Sequence, residues 1–72
     1  MRSLAGQVGQ ALRAAITARG VTQAVVARRC GMPRTGVTHY LTGRRNMTLA
    51  NLERLAEGLD YTVLVELVPR DD

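Results

Sequence analysis

The chain has 72 residues, a net charge of +4, and 46% hydrophobic against 22% charged residues, the mix of one soluble globule with no room for a second core rather than of a disordered chain. No apolar run approaches the roughly 18 residues that cross a bilayer, and the N-terminal stretch with Gly6, Gln7, Gly9 and Gln10 lacks the apolar core of a secretory signal, so no membrane contact and a cytoplasmic location are expected. One cysteine, Cys30, and one histidine, His39, supply neither an internal disulfide nor a zinc ligand set, so no metal or cofactor is expected and Cys30 reads as a small apolar filler.

The first segment carries Leu4, Val8, Ala11, Leu12, Ala15 and Ile16 at three- and four-residue steps, which predicts a helix from about Ser3 to Arg19 stopped by Gly20. Thr22 then suits an N-cap for a helix of about two turns whose inner face is Val26, Ala27 and Cys30, broken by Gly31. Pro33 fits the first turn of a third helix, because its missing N–H has no intrahelical partner there. Val37, Tyr40 and Leu41 form the inner face of that helix. Arg34, Thr35, Thr38, His39 and Thr42 point largely outward, and Gly43 closes it. After the basic loop Arg44, Arg45 and Asn46, Thr48 caps a fourth helix with an apolar stripe of Leu49, Leu52, Leu55, Ala56 and Leu59.

Beyond Asp60 the period changes: Tyr61, Val63, Val65 and Leu67 alternate with their neighbours in a β-branched stretch that predicts a strand ended by Pro69. The expected fold class is therefore mainly α, four helices with a C-terminal β-strand, organised as a helical domain over 1–60 and a strand with a short acidic tail over 61–72. The charge divides along the same line. Residues 1–58 hold nine arginines against Glu53 and Glu57, a balance of +7, while residues 59–72 hold Arg70 against four acids, a balance of −3. Such a basic body favours phosphate-rich polymers or acidic surfaces.

Two short helices joined by a glycine-containing turn, the second with a polar outer face, can form the unit that lays a helix in the major groove of DNA. Ala27 at the close helix contact, Gly31 in the turn, and Val37 with Leu41 beneath the outer helix are the residues this geometry asks for. The stretch VTQAVVARRCGMPRTGVTHYLTGRRNMTLANLERLAEGL resembles the Xre/Cro–repressor family of helix-turn-helix proteins, phage repressors in particular. It matches their Thr-Gln opening of the second helix, the alanine, the Gly-Met turn, the Gly-Val of the third helix and the glycine closing it. With the first helix, the resemblance covers roughly residues 4–60. Two positions depart from it: Pro33 stands where many members have a capping serine, and the Tyr61–Val68 stretch replaces the usual fifth helix.

The resemblance implies double-stranded DNA as the partner. It gives Arg34, Thr35, Thr38 and His39 the reading of base edges, Arg34 first, because its planar fork can donate two hydrogen bonds to guanine. It gives Thr22, Gln23, Thr42, Arg44, Arg45 and Asn46 the phosphate backbone, with the start of the fourth helix beside them. A strand needs a neighbour for its backbone. Self-pairing across a two-fold axis, with Tyr61, Val63, Val65 and Leu67 packed on the helices, makes a homodimer that reads an inverted repeat; folding back on its own domain, or pairing with another protein, are the alternatives.

The function expected is a dimeric transcriptional repressor of phage or prophage type; the alternative is an antitoxin that binds a toxin and represses its own promoter. An enzyme is not expected, since the acidic residues include no pair placed with a histidine, and no nucleophile motif or glycine-rich phosphate loop is present. RNA is disfavoured because the two aromatics, Tyr40 and Tyr61, both read as apolar-facing and leave no stacking platform.

Overall fold

The structure, a computed structural model, describes residues 3–71. Four helices follow in chain order: α1 (Leu4–Arg19), α2 (Gln23–Cys30), α3 (Arg34–Leu41) and α4 (Leu49–Gly58). Three begin with a hydroxyl cap of the kind their sequences offer. Ser3 accepts from the Gly6 N–H, Thr22 from Val25 and Thr48 from Asn51, each satisfying a donor that has no intrahelical partner. Pro33 lies one position earlier than expected: with φ −63° and ψ 144° it is the extended residue before α3 rather than part of its first turn.

The core is wholly apolar, built from Leu12 of α1, Val26, Ala27 and Cys30 of α2, Val37 and Leu41 of α3, and Leu55, Ala56 and Leu59 from α4 and its cap. Cys30 is the buried filler its setting implied. The flanking positions of the two stripes fare differently. Leu4 and Leu49, the first residue of α1 and of α4, stay largely exposed, because the core does not reach the first turn of either helix.

Gly9 makes the packing of α1 on α3 possible. It is buried, and a Cβ built on it falls 2.9 Å from the Leu41 carbonyl oxygen, closer than real side chains come to a backbone atom. The same carbonyl accepts a 3.0 Å hydrogen bond from Arg13, so α1 holds the C-terminal end of α3 by contact and by charge.

The expected C-terminal strand is absent. Residues 61–71 run without secondary structure, tied at their start to α4 by the 2.8 Å bond from the Tyr61 N–H to the Ala56 carbonyl. The physical reason is that alternation writes an amphipathic surface but supplies no hydrogen-bonding neighbour, and the described residues of this chain offer none. The face assigned to the helices also fails beyond its first half. Tyr61 and Val63 are 41% and 37% exposed, whereas Val65 and Leu67 are 82% and 92% exposed. The segment is an arm, and an apolar groove of about 250 Å³ opens between α1 and α4 where the arm departs. Among the described residues, no helix is long and apolar enough to cross a membrane.

Candidate nucleic-acid interface

The α2–α3 unit is set by its turn. Gly31 takes φ +67°, a left-handed conformation that side chains disfavour, and the Met32 N–H reaches back to the Ala27 carbonyl at 2.9 Å, closing α2 in the manner of a Schellman end. The chain then reverses through Pro33 into α3. Val37 and Leu41 are driven into the core, which fixes the rotation of α3 about its axis and turns the remaining side chains outward. Arg34 and Thr35 are exposed, and Thr38 and His39 are half-buried.

Hydrogen bonding separates the expected contacts into groups with different capacities. The Thr38 hydroxyl donates to Gln23 Oε1 at 2.9 Å, with the Arg34 carbonyl at 3.2 Å as a second acceptor. The tie crosses from α3 to the first residue of α2 and uses the Gln23 side-chain oxygen, so what Gln23 has to offer a partner is its amide N–H groups. The Thr42 hydroxyl donates to the Thr38 carbonyl at 2.8 Å, so its single proton is already committed. Thr22 is the reverse case, because its oxygen accepts from Val25 at 3.2 Å and its proton stays available to an acceptor outside the chain.

After α3, the Arg44 and Arg45 N–H groups both reach the His39 carbonyl, at 2.9 and 3.3 Å, which wraps the loop around the end of the helix. Arg44, Arg45 and Asn46 are exposed there. The Arg45 guanidinium lies 5.8 Å from the Tyr40 ring centroid, within cation–π range. The structure thus brings the expected base-reading residues onto α3, with Thr22 and Gln23 at one end of α2 and Thr42 to Asn46 in the adjoining loop. Tyr61, Val63, Val65 and Leu67 belong to the arm.

Sequence reasoning missed how many arginines serve the fold. Arg19 donates to the Leu59 and Asp60 carbonyls, both at 2.9 Å, and its guanidinium sits 4.7 Å from the Tyr61 ring. Arg54 donates to the Cys30 carbonyl at 2.6 Å and more weakly to Gly31. Arg29 reaches the Gly58 carbonyl at 3.3 Å. With Arg13 on Leu41, these cations satisfy carbonyls at the C-terminal ends of α2, α3 and α4, where the helix dipole favours positive charge. Arg54 also meets Asn51 Oδ1 at 3.4 Å, and Asn51 Nδ2 donates to the Tyr40 hydroxyl at 2.7 Å, a polar chain that joins α4 to α3. The Asn51 and Arg54 spacing, three apart on the polar side of the Leu52–Leu55 stripe, was the available signal. Cys30 takes no part in this surface. Burial raises the pKa of its thiol above the ordinary value, against the opposing pull of Arg54, the Gly58 backbone and Arg29.

What remains beside α3 is a polar, cationic surface on a short helix held from behind by α1, α2 and α4. No curated protein and no solved structure matches the chain. Residues 7–67, spanning all but the first turn of the helical body and most of the arm, match the helix-turn-helix domain family, and the chain belongs to that family of DNA-binding regulators.

Proposed function

We propose that the protein is a dimeric transcriptional repressor of the Xre/Cro type, reading an inverted repeat in double-stranded DNA. The observation that carries this reading is the exposed side of α3: Arg34 and Thr35 stand clear of the body while Val37 and Leu41 are fixed in the core, so a helix of fixed orientation offers hydrogen-bond donors to base edges. Thr38 and His39 lie further along the same helix. Thr22, Gln23, Arg44, Arg45 and Asn46 supply donors and charge to the phosphates on either side, and Thr42, whose hydroxyl is spent on the Thr38 carbonyl, closes the last turn of α3.

The arm supports a second copy. Leu64 and Leu67 are 88% and 92% exposed, and Val65 and Val68 stand out beside them, an apolar surface a small soluble monomer seldom leaves uncovered. Burying the arms between two copies related by a two-fold axis presents two recognition helices to successive major grooves, about 34 Å apart. Repression then follows from occupancy, with no chemistry required. The same arm equally suits a foreign protein, which is the observation favouring the antitoxin reading, in which a toxin covers residues 61–71.

Selecting bound sites from random duplex DNA tests the proposal. A preferred sequence with inverted-repeat symmetry is expected. Retention of all sequences alike would refute specific reading, and a preferred site without symmetry would refute the dimer.

A further inference from the structure

Two hollows lie along the seam between α1 and α4. One, of about 250 Å³, is bordered by Ala11, Ala15 and the root of the arm, and the other, of about 310 Å³, opens between Leu4 and Leu49. Val8 and Leu52 line both, so the hollows join into one apolar trough. Leu4 and Leu49 at its far rim are 74% and 82% exposed, and nothing within one chain covers them. Among the described residues no acid lines either hollow, and Arg45 borders the outer one.

The arm has the matching chemistry and length. In an extended chain successive side chains face opposite ways, which puts Leu64 and Val68 on one side and Val65 and Leu67 on the other, all four between 74% and 92% exposed. A segment apolar on both sides is covered by two walls rather than by one flat surface. Extended, Leu64–Val68 spans about 16 Å, and α1 from Leu4 to Ala15 runs about 16 Å as well. Charge agrees: residues 59–72 carry −3 and residues 1–58 carry +7, so an arm is drawn to a body.

Beyond its root, the arm does not lie in its own trough. Asp60 takes φ 60°, the Tyr61 N–H returns to the Ala56 carbonyl, and Arg19 holds the Leu59 and Asp60 carbonyls and the Tyr61 ring. These contacts fix the direction in which the chain leaves α4. The molecule is 44 Å long against 24 and 21 Å across, with the arm projecting from the helices. We propose that Leu64–Val68 of one copy seats in the α1–α4 trough of a second copy, whose own arm seats in the first. The occupant is a second copy because this chain supplies trough, arm and opposite charges in matching size. The contact rests on the dimeric reading above, is made by side chains, and needs no strand.

Sedimentation of the full chain over a concentration series tests the seat, with far-UV circular dichroism to show that each variant is folded. Ala11→Glu fills the near hollow from an exposed helix position, and Leu67→Asp spoils the arm. Each change occurs twice in a two-fold pair, so each raises the dimer dissociation constant about a hundredfold. Leu4→Asp, at the far rim, is a second trough variant with the same expected loss, and an acid suits the first turn of α1. Mixing Ala11→Glu with Leu67→Asp then restores one intact seat, the arm of the first copy in the trough of the second, and tightens association about tenfold over either variant alone.

Trough variants that dimerise as the wild type does, while Leu67→Asp does not, overturn the seat and leave a dimer held arm to arm. Loss in every variant with no recovery on mixing also overturns it, because arm and trough then do not meet across chains. A wild-type chain that stays monomeric up to its solubility limit overturns the seat and the dimeric reading together.

Discussion

Replacing Gly9 with alanine puts a methyl group 2.9 Å from the Leu41 carbonyl oxygen, and the consequence can be worked through with an internal control. In an ordinary helix the change stabilises by about 1 kcal/mol through propensity alone. Here ordinary contact begins near 3.4 Å, so the end of α3 must retreat by about half an ångström. That retreat strains the Arg13 bond to the same oxygen and the buried Leu41 side chain, and overpacking of this kind costs about 1–3 kcal/mol. Gly6, one turn earlier in α1, shares the propensity term, but its Cβ would meet only the exposed Ser3 hydroxyl at 3.3 Å, a contact relieved by a shift of about a tenth of an ångström that keeps the cap bond to the Gly6 N–H. Gly6→Ala is therefore expected to exceed Gly9→Ala in stability by roughly the overpacking cost. With a urea slope near 1 kcal/mol per molar for so small a protein, that is a gap of about 1–3 M in the denaturation midpoint. Coincident midpoints for the two variants would refute the claim that Gly9 sets the spacing of α1 and α3.

Other expectations separate the functional groups from the structural ones. Arg34→Ala should lose about 1–3 kcal/mol on the selected site and relax preference at one base pair, whereas Arg45→Ala should weaken every sequence and reduce the salt slope by about one, measured by binding titrations across salt. Equal losses for both on all sequences would contradict the division of roles. A charge at Leu67, as in Leu67→Asp, should leave the folding of the monomer intact, because the side chain touches no core, and should shift sedimentation from dimer to monomer. An unchanged dimer would exclude the arm as its contact. For Cys30, a folded pKa raised above the ordinary 9.0 means stability that is fully present below about pH 9 and is lost as pH rises through the higher folded value. Cys30→Ala should be less stable at neutral pH, yet should lack that alkaline decline in denaturant melts.

The helices were legible because their signals are local. Ser3, Thr22 and Thr48 sit where caps are needed, Gly20 and Gly31 adopt the left-handed conformation that ends a helix, and the spacing of Val26, Ala27 and Cys30 marks the face that the core buries. The turn between α2 and α3 was legible for the same reason. Pro33 fell one residue out of place because its fixed φ suits both the residue before a helix and the first residue within it, and only ψ tells them apart. Leu49 looked like core because period alone cannot say where along a helix the neighbouring helices stop.

The arginines show why the candidate site was harder to read than the fold. In sequence, Arg13, Arg19 and Arg54 belong to the same basic excess as Arg34, Arg44 and Arg45. In space, each of the first three reaches a carbonyl 24 to 41 residues away, and no local pattern announces a bond of that span. The arm failed for a related reason, since alternation in residues 61–68 describes what the side chains prefer but not whether a backbone neighbour exists. A charge count therefore overstates the cation available to a partner, while the exposure of Leu64 and Leu67 measures the apolar surface left for one. The cation left for a partner is thus less than the +7 of the body implies. On the proposed reading, DNA meets the side of α3 and its following loop, where guanidinium groups remain after the helix ends have taken theirs.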